Sequence, residues 1–567
     1  MVNASAVTCS LRARISDFGI TNTNIQCRKH IHKGTLSRAS FCQLSVMMLK
    51  INPASYLLPG KKLITPSSHF VNNNTTNTTS TSTFPTGNRG ATVNMTATDT
   101  TTTTTTSSPP KSKMTSYFPL GYKEAAQQWW SSVSLRQAEH GVLSFIPYLR
   151  EATTSSSTSQ TLSGLAKTDP FGHRVWKTTM VPLSGKNRAL NEFSIERLNE
   201  PITNNLVMLH GYGAGLGFFY KNFEPLSRLP GWKLYALDML GMGNSTRPPF
   251  KIHSKDHKAK IAEAESWFID ALEEWRKARN LEKFTLMGHS MGGYMAVSYA
   301  LKYPGRLNKL ILVSPVGIPE DPWAVDAAMP EPESSTMAAE FTQDQESIVS
   351  RKPAGNNAGY LAAKDKKAAA QTSSISTTPP KRPLPGWLVW LWDANVSPFS
   401  VVRMAGPLGP RLVSGWSARR FNHLPAPEKE SLHNYTYALC QQTGSGEYAM
   451  PYILAPGAYA RSPLINRIQE VGRGVIRPAS ENTPEVRENG IPIVFMYGEN
   501  DWMDVAGGYA AEEKIKKRRE SELLKGEGEE KGSAKVVVVR RAGHHLYLDN
   551  PEEFNAVVRA EMESVGK

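Results

Sequence analysis

Five residues, Gly288-His289-Ser290-Met291-Gly292, constrain this chain more than any other feature. They follow a short apolar run, Phe284–Met287, and lead into a stretch rich in small residues, so the pattern predicts a strand, a sharp turn and a helix. Glycines on both sides of the serine allow a turn tight enough to lift its hydroxyl above the end of the strand. There the hydroxyl faces the positive end of the following helix. Serine alone is a weak nucleophile, so this reading requires a base and a group that orients the base.

Both can be named from the C-terminal part of the chain. The run Val536–Val539 leads to Gly543-His544-His545, and His544 follows the glycine directly, which makes it the candidate base; His545 is the competitor. The run Ile493–Tyr497 leads to Gly498-Glu499-Asn500-Asp501-Trp502, which makes Asp501 the candidate orienting carboxylate, with Glu499 and Asp504 as alternatives. A tetrahedral intermediate needs an oxyanion hole. The backbone N–H of Met291 and one from the loop His210-Gly211-Tyr212-Gly213, with Tyr212 favoured, are the candidate donors. His210 reads as structural, and Asp238 with Gly241, Gly243 and Ser245 reads as shaping the next loop.

The strand-like runs Val207–Leu209, Lys233–Leu237, Phe284–Met287, Lys309–Val313, Ile493–Tyr497 and Val536–Val539 are continuous rather than alternating. Helical patterns at 256–279 and 292–302 lie between them, so a largely parallel sheet covered on both faces is expected. Residues 122–150 read as one helix carrying Trp129 and Trp130. The core is expected over 114–319 and 486–567, with a disordered insertion at 320–383, a helical lid at 384–485 and a charged insertion at 512–533. Trp387, Trp390 and Trp392 make the lid a candidate surface for the headgroup–acyl boundary of a membrane.

Hydrophobic residues make up 40% and charged residues 20% of the 567, which excludes wholesale disorder. The net charge of +15 is concentrated at the front: residues 1–110 hold ten Lys and Arg against Asp17 and Asp99. That segment, low in acids and rich in Ser, Thr and Asn, includes the run Thr100–Thr106. The leader, 1–113, is therefore expected to be disordered, and its composition suits a mitochondrial transit peptide. With so much of the charge in the leader and no recognition motif in the sequence, nucleic acid is not an expected partner. Four cysteines, three of them in the leader, do not form a disulfide scaffold.

The segments LHGYGAG, LDMLGMGNSTRP, GHSMGGY, NYTYALCQQTGSGEYAM, YGENDWMD and GHHLYLDNPEEF together resemble one branch of the α/β-hydrolase family. That branch includes the lipid-droplet lipase co-activator, the lysophosphatidic acid acyltransferases and the fungal mitochondrial cardiolipin-specific deacylase. The resemblance implies an α/β-hydrolase fold with an inserted helical lid and a Ser290, Asp501, His544 triad in that chain order. Ser290 stands where the co-activator branch lacks its serine, which argues for a working enzyme. The acyltransferase branch is associated with an H-x4-D motif, and His544 and Asp549 fit it, although Asp549-Asn550-Pro551 also reads as a capped helix start. The expected function is phospholipid deacylation, with cardiolipin favoured. The chain would act peripherally on the inner mitochondrial membrane and need no metal or organic cofactor. Lysophospholipid acyl transfer and a non-enzymatic lipid-surface adaptor are the rivals.

Overall fold

The computed structural model describes residues 119–131, 133–151, 169–320, 344–350, 357, 386–525 and 529–566. The expected leader and transit peptide, their boundary near Met114 and most of the 320–383 insertion lie outside the described residues.

Among the described residues helices α1 (Tyr122–Trp130) and α2 (Leu135–Leu143) come first. They replace the single helix expected over 122–150, because Ser134 starts the second one with a capping box closed by Gln137. Strands β1 (Arg150–Glu151), β2 (Arg174–Pro182), β3 (Ala189–Arg197) and β4 (Asn204–Leu209) follow, then α3 (Tyr220–Leu226) and β5 (Trp232–Leu237). Next come α4 (His257–Ala278), β6 (Phe284–His289), α5 (Met291–Lys302), β7 (Leu307–Val313) and α6 (Gln345–Ser350). The segment between β7 and the last sheet strands contains α7 (Gly386–Asp393), α8 (Pro398–Met404), α9 (Gly409–Arg420), α10 (Ala426–Gln441) and α11 (Met450–Ile453). It ends in a small antiparallel pair, β8 (Val475–Arg477) with β9 (Val486–Arg487), so the lid is not wholly helical. Strand β10 (Pro492–Gly498), α12 (Val505–Leu523), β11 (Ser533–Val539), α13 (Leu546–Asp549) and α14 (Pro551–Glu563) complete the chain.

Among the described residues nine strands form one sheet in the order β1-β2-β3-β5-β4-β6-β7-β10-β11. From β5 to β11 every neighbour is parallel, while β2 with β3 and β3 with β5 are antiparallel. The parallel strands are apolar throughout because both of their faces are covered. Along β7, Leu310 and Leu312 pack with α4, α5 and α12, whereas Ile311 and Val313 pack with α2, α3, α10 and α14. The same alternation holds for Ile493 and Phe495 against Val494 and Met496 in β10.

Residues 512–523 are helical and mostly exposed, in keeping with a charged, solvated segment. They continue α12, which crosses from β10 to β11 and buries Val505, Ala511 and Ile515 against the sheet. Two described pieces of the 320–383 segment are also built into the core. Ile348 and Gln345 are buried, and the Asn357 amide donates to Gly498 O while its oxygen accepts from Val505 N. These contacts give Val505 N, the first amide of α12, an acceptor and give Gly498 O a second donor beside Asp501 N.

Candidate active site

The carboxyl ends of the parallel strands bring the chemical groups together. Ser290 joins β6 to α5 at φ 53° and ψ −117°, a conformation that an L-residue holds only when its surroundings impose it. Its N–H donates to Val313 O at 2.9 Å, and its carbonyl accepts from Gly293 N at 3.0 Å. The tight crossing of strand and helix demands glycine. A Cβ on Gly288 would lie 2.3 Å from Gly292 O, and one on Gly292 would lie 2.6 Å from His210 O. Met291 opens α5, so its amide lies at the positive end of the helix.

His544 and Asp501 meet at the same rim. Asp501 is buried beyond β10; its Oδ1 lies 3.2 Å from His544 Nδ1 and accepts from Met503 N at 2.9 Å. The alternative carboxylates are engaged elsewhere. Glu499 accepts from Arg541 N, and Asp504 caps α12 by accepting from Ala506 N. His545, the alternative base, accepts at Nδ1 from Arg420 Nε at 3.0 Å. The indole of Trp502 packs on the His544 ring with centroids 4.8 Å apart.

Ser314 was not legible from the sequence as part of this group. It follows Val313, whose carbonyl holds Ser290, and has φ 44° with no exposure. Its hydroxyl donates to Asp501 Oδ2, and its oxygen lies 2.8 Å from His544 Nδ1. With the Ser314 hydroxyl donating to Asp501 Oδ2, a hydrogen on His544 Nδ1 is shared between Ser314 Oγ and Asp501 Oδ1. The neutral ring then keeps its basic lone pair on Nε2. A serine after an apolar strand matches a plain turn as well as a site residue, and no motif marks it.

His289 fills the variable position before Ser290. Burial, and next the neighbouring His544, push its pKa well below the ordinary value, so the ring is neutral and donates from Nε2 to His544 O at 3.0 Å. The loop 210–213 lies over the turn: a Cβ on Gly211 would be 3.1 Å from Ser290 Cβ. His210 is structural as expected, with Nδ1 2.8 Å from Gly211 O and Nε2 accepting from Met239 N. Tyr212 stacks on Phe399 of α8 at 5.1 Å, so the lid touches the loop that carries the candidate oxyanion donor.

Asp549 does not cap the final helix. Asn550 does so, accepting from Glu553 N, while the Asp549 carboxylate is buried against Arg420 and accepts from Gly543 N. Among the lid tryptophans, Trp390 is 64% exposed. Trp392 turns inward and donates to Leu454 O at 2.9 Å, which corrects its expected place on the outer surface. Trp387 lies in α7. Among the described residues no group of His, Cys, Asp and Glu is arranged to hold a metal ion, and no helix is long and apolar enough to cross a membrane.

A serine on a strained strand-to-helix turn, with a histidine and an aspartate from the next loops along the same sheet, matches a known family. Residues 204–551 match the model of the alpha/beta hydrolase fold family. The chain belongs to that family. A 1-acylglycerol-3-phosphate O-acyltransferase of Arabidopsis thaliana is 31% identical over 385 residues, covering 66% of this chain and 70% of the relative. The human 1-acylglycerol-3-phosphate O-acyltransferase ABHD5 is 30% identical over 360 residues, covering 62% and 76%. A (lyso)-N-acylphosphatidylethanolamine lipase of Bos taurus is 28% identical over 363 residues, covering 64% and 79%.

Proposed function

We propose that this member of the family is a serine-dependent acyl hydrolase of membrane phospholipids. Cardiolipin is the favoured substrate, and the proposed address is the mitochondrion, peripheral on the inner membrane. The observation that carries the chemistry is the hydrogen-bonded set His544, Asp501 and Ser314 at the same rim as the strained Ser290. The lipid-acting relatives support the substrate class. The basic, acid-poor leader and the resemblance to the cardiolipin-specific deacylase support the address and the favoured lipid.

In this reading His544 Nε2 takes the proton from Ser290 Oγ as the oxygen attacks the ester carbonyl. The resulting oxyanion rests on the N–H groups of Met291 and Tyr212, each contributing about 3–4 kcal/mol to the transition state. His544 then protonates the departing lysolipid, Asp501 stabilises the imidazolium, and water releases the fatty acid. These steps use only side chains and backbone of this chain.

The exposed apolar side chains of the lid supply a membrane contact. Trp390, Val401, Met404, Leu408 and Leu412 are all more than 45% exposed, and α1 adds Trp130 at 84%. Acyl transfer is the second reading, favoured by the names of two relatives. The purified chain is tested on cardiolipin vesicles, with and without acyl-CoA and lysophosphatidic acid. Free fatty acid and lysocardiolipin are the expected products. Acylated lysophosphatidic acid without free fatty acid would replace hydrolysis with transfer, and lipid turnover in cells unchanged by Ser290→Ala would leave an adaptor.

A further inference from the structure

The loop that carries His544 is held at three consecutive residues by three different elements. Gly543 N donates to Asp549 Oδ2 at 2.9 Å, His544 O accepts from His289 Nε2 at 3.0 Å, and His545 Nδ1 accepts from Arg420 Nε at 3.0 Å. Arg420 also donates from Nη2 to Asp549 Oδ1 at 3.0 Å, with 6% of its side chain exposed and none of the aspartate's. The guanidinium therefore reaches from the last turn of α9, in the lid, to two of the three anchors. One of its donors goes to the carboxylate and another to the imidazole of His545, a fork that lysine could not reproduce.

We propose that Arg420 and Asp549 are a positioning pair through which lid helix α9 sets the placement of His544 over Ser290. The inference rests on the hydrolase reading above. It also gives the H-x4-D carboxylate a role other than acid–base work in acyl transfer. Asp549 binds the backbone before the catalytic histidine, whereas the Nδ1 of that histidine faces Asp501 and Ser314. An ion pair this deeply buried is a poor source of net stability, because desolvation opposes the attraction between the charges. Geometry is what the arrangement secures: one side chain of the lid holds the His545 ring directly and holds Gly543 N through the Asp549 carboxylate. Misplacing a general base by about 1 Å is enough to lower turnover about 100-fold.

The test uses the full chain and a fluorophosphonate that modifies an activated serine, together with a soluble short-chain ester for steady-state kinetics. For Asp549→Ala, labelling of Ser290 and kcat are expected to fall about 100-fold with KM unchanged. Asp549→Asn keeps an acceptor for Gly543 N and should recover to within about tenfold of wild type. Should the single variants fail to fold, the doubly neutral Arg420→Gln/Asp549→Asn leaves no buried charge unpaired; its expected labelling is about tenfold slow, at native circular dichroism. Labelling at the wild-type rate in folded variants overturns the positioning role alone. So does loss of transfer to lysophosphatidic acid in Asp549→Asn with labelling intact, since that result makes the carboxylate a transfer group. A wild type that is never labelled overturns the hydrolase reading and this inference together.

Discussion

Ser314 and Asp501 divide the work of holding His544, and removing each has a different consequence. Ser314→Ala removes the hydroxyl that donates to Asp501 and lies beside His544 Nδ1, but the carboxylate remains. A loss of about tenfold in kcat/KM is expected, equal to about 1.4 kcal/mol and the scale of one hydrogen bond. Asp501→Asn should lower kcat about 10⁴-fold, because an amide at that position favours the wrong tautomer of the ring. Steady-state kinetics on a soluble ester separates the two, and equal losses would contradict this division. Asp501 was legible because it ends a strand-like run in the expected chain order. Ser314 and the tie between Arg420 and Asp549 were not legible. Each depends on a contact across more than 100 residues that no local pattern records.

Strand β6, the turn and helix α5 work as one element. Adding a methyl group at Gly292 would drive it into the carbonyls of His210 and Leu209 at 2.6 and 2.7 Å. Gly292→Ala should lower stability by about 1–3 kcal/mol and displace the loop 210–213, which urea unfolding and ester turnover both measure. The parallel strands could be read from sequence because burial on both faces makes them continuously apolar. Strands β2 and β3 were harder to read: β2 contains Lys177, Thr178 and Thr179, and β3 contains Asn191, Glu192 and Ser194. Buried polar partners explain the second case, since Glu192 accepts from Trp275 Nε1 and pairs with Arg279. The exposed side of the lid makes its own prediction. Met404→Glu with Leu412→Glu should weaken binding to anionic vesicles in a flotation assay and leave the melting temperature unchanged. Binding equal to wild type would remove these helices from the membrane contact.

Across the whole molecule, buried neutral histidines set the response to acid. His210, His289, His433 and His545 are all buried, and burial is the main cause that lowers each pKa, that of His433 to about 3. Each is neutral when folded and takes up a proton when unfolded below about pH 6.5, so acid favours the unfolded chain. Their contribution is fully present above that pH and is lost as the pH falls, by about 1.4 kcal/mol per pH unit for each histidine that stays neutral. Urea midpoints should therefore drop steeply between pH 7 and pH 5, and a flat profile would show that these rings are protonated in the folded state. The central claim is that Ser290 is an activated nucleophile toward a phospholipid ester, and fatty-acid release from cardiolipin vesicles tests it most directly. Wild-type chain should release free fatty acid and Ser290→Ala should be at least about 10⁴-fold slower; equal release by both proteins would contradict the account.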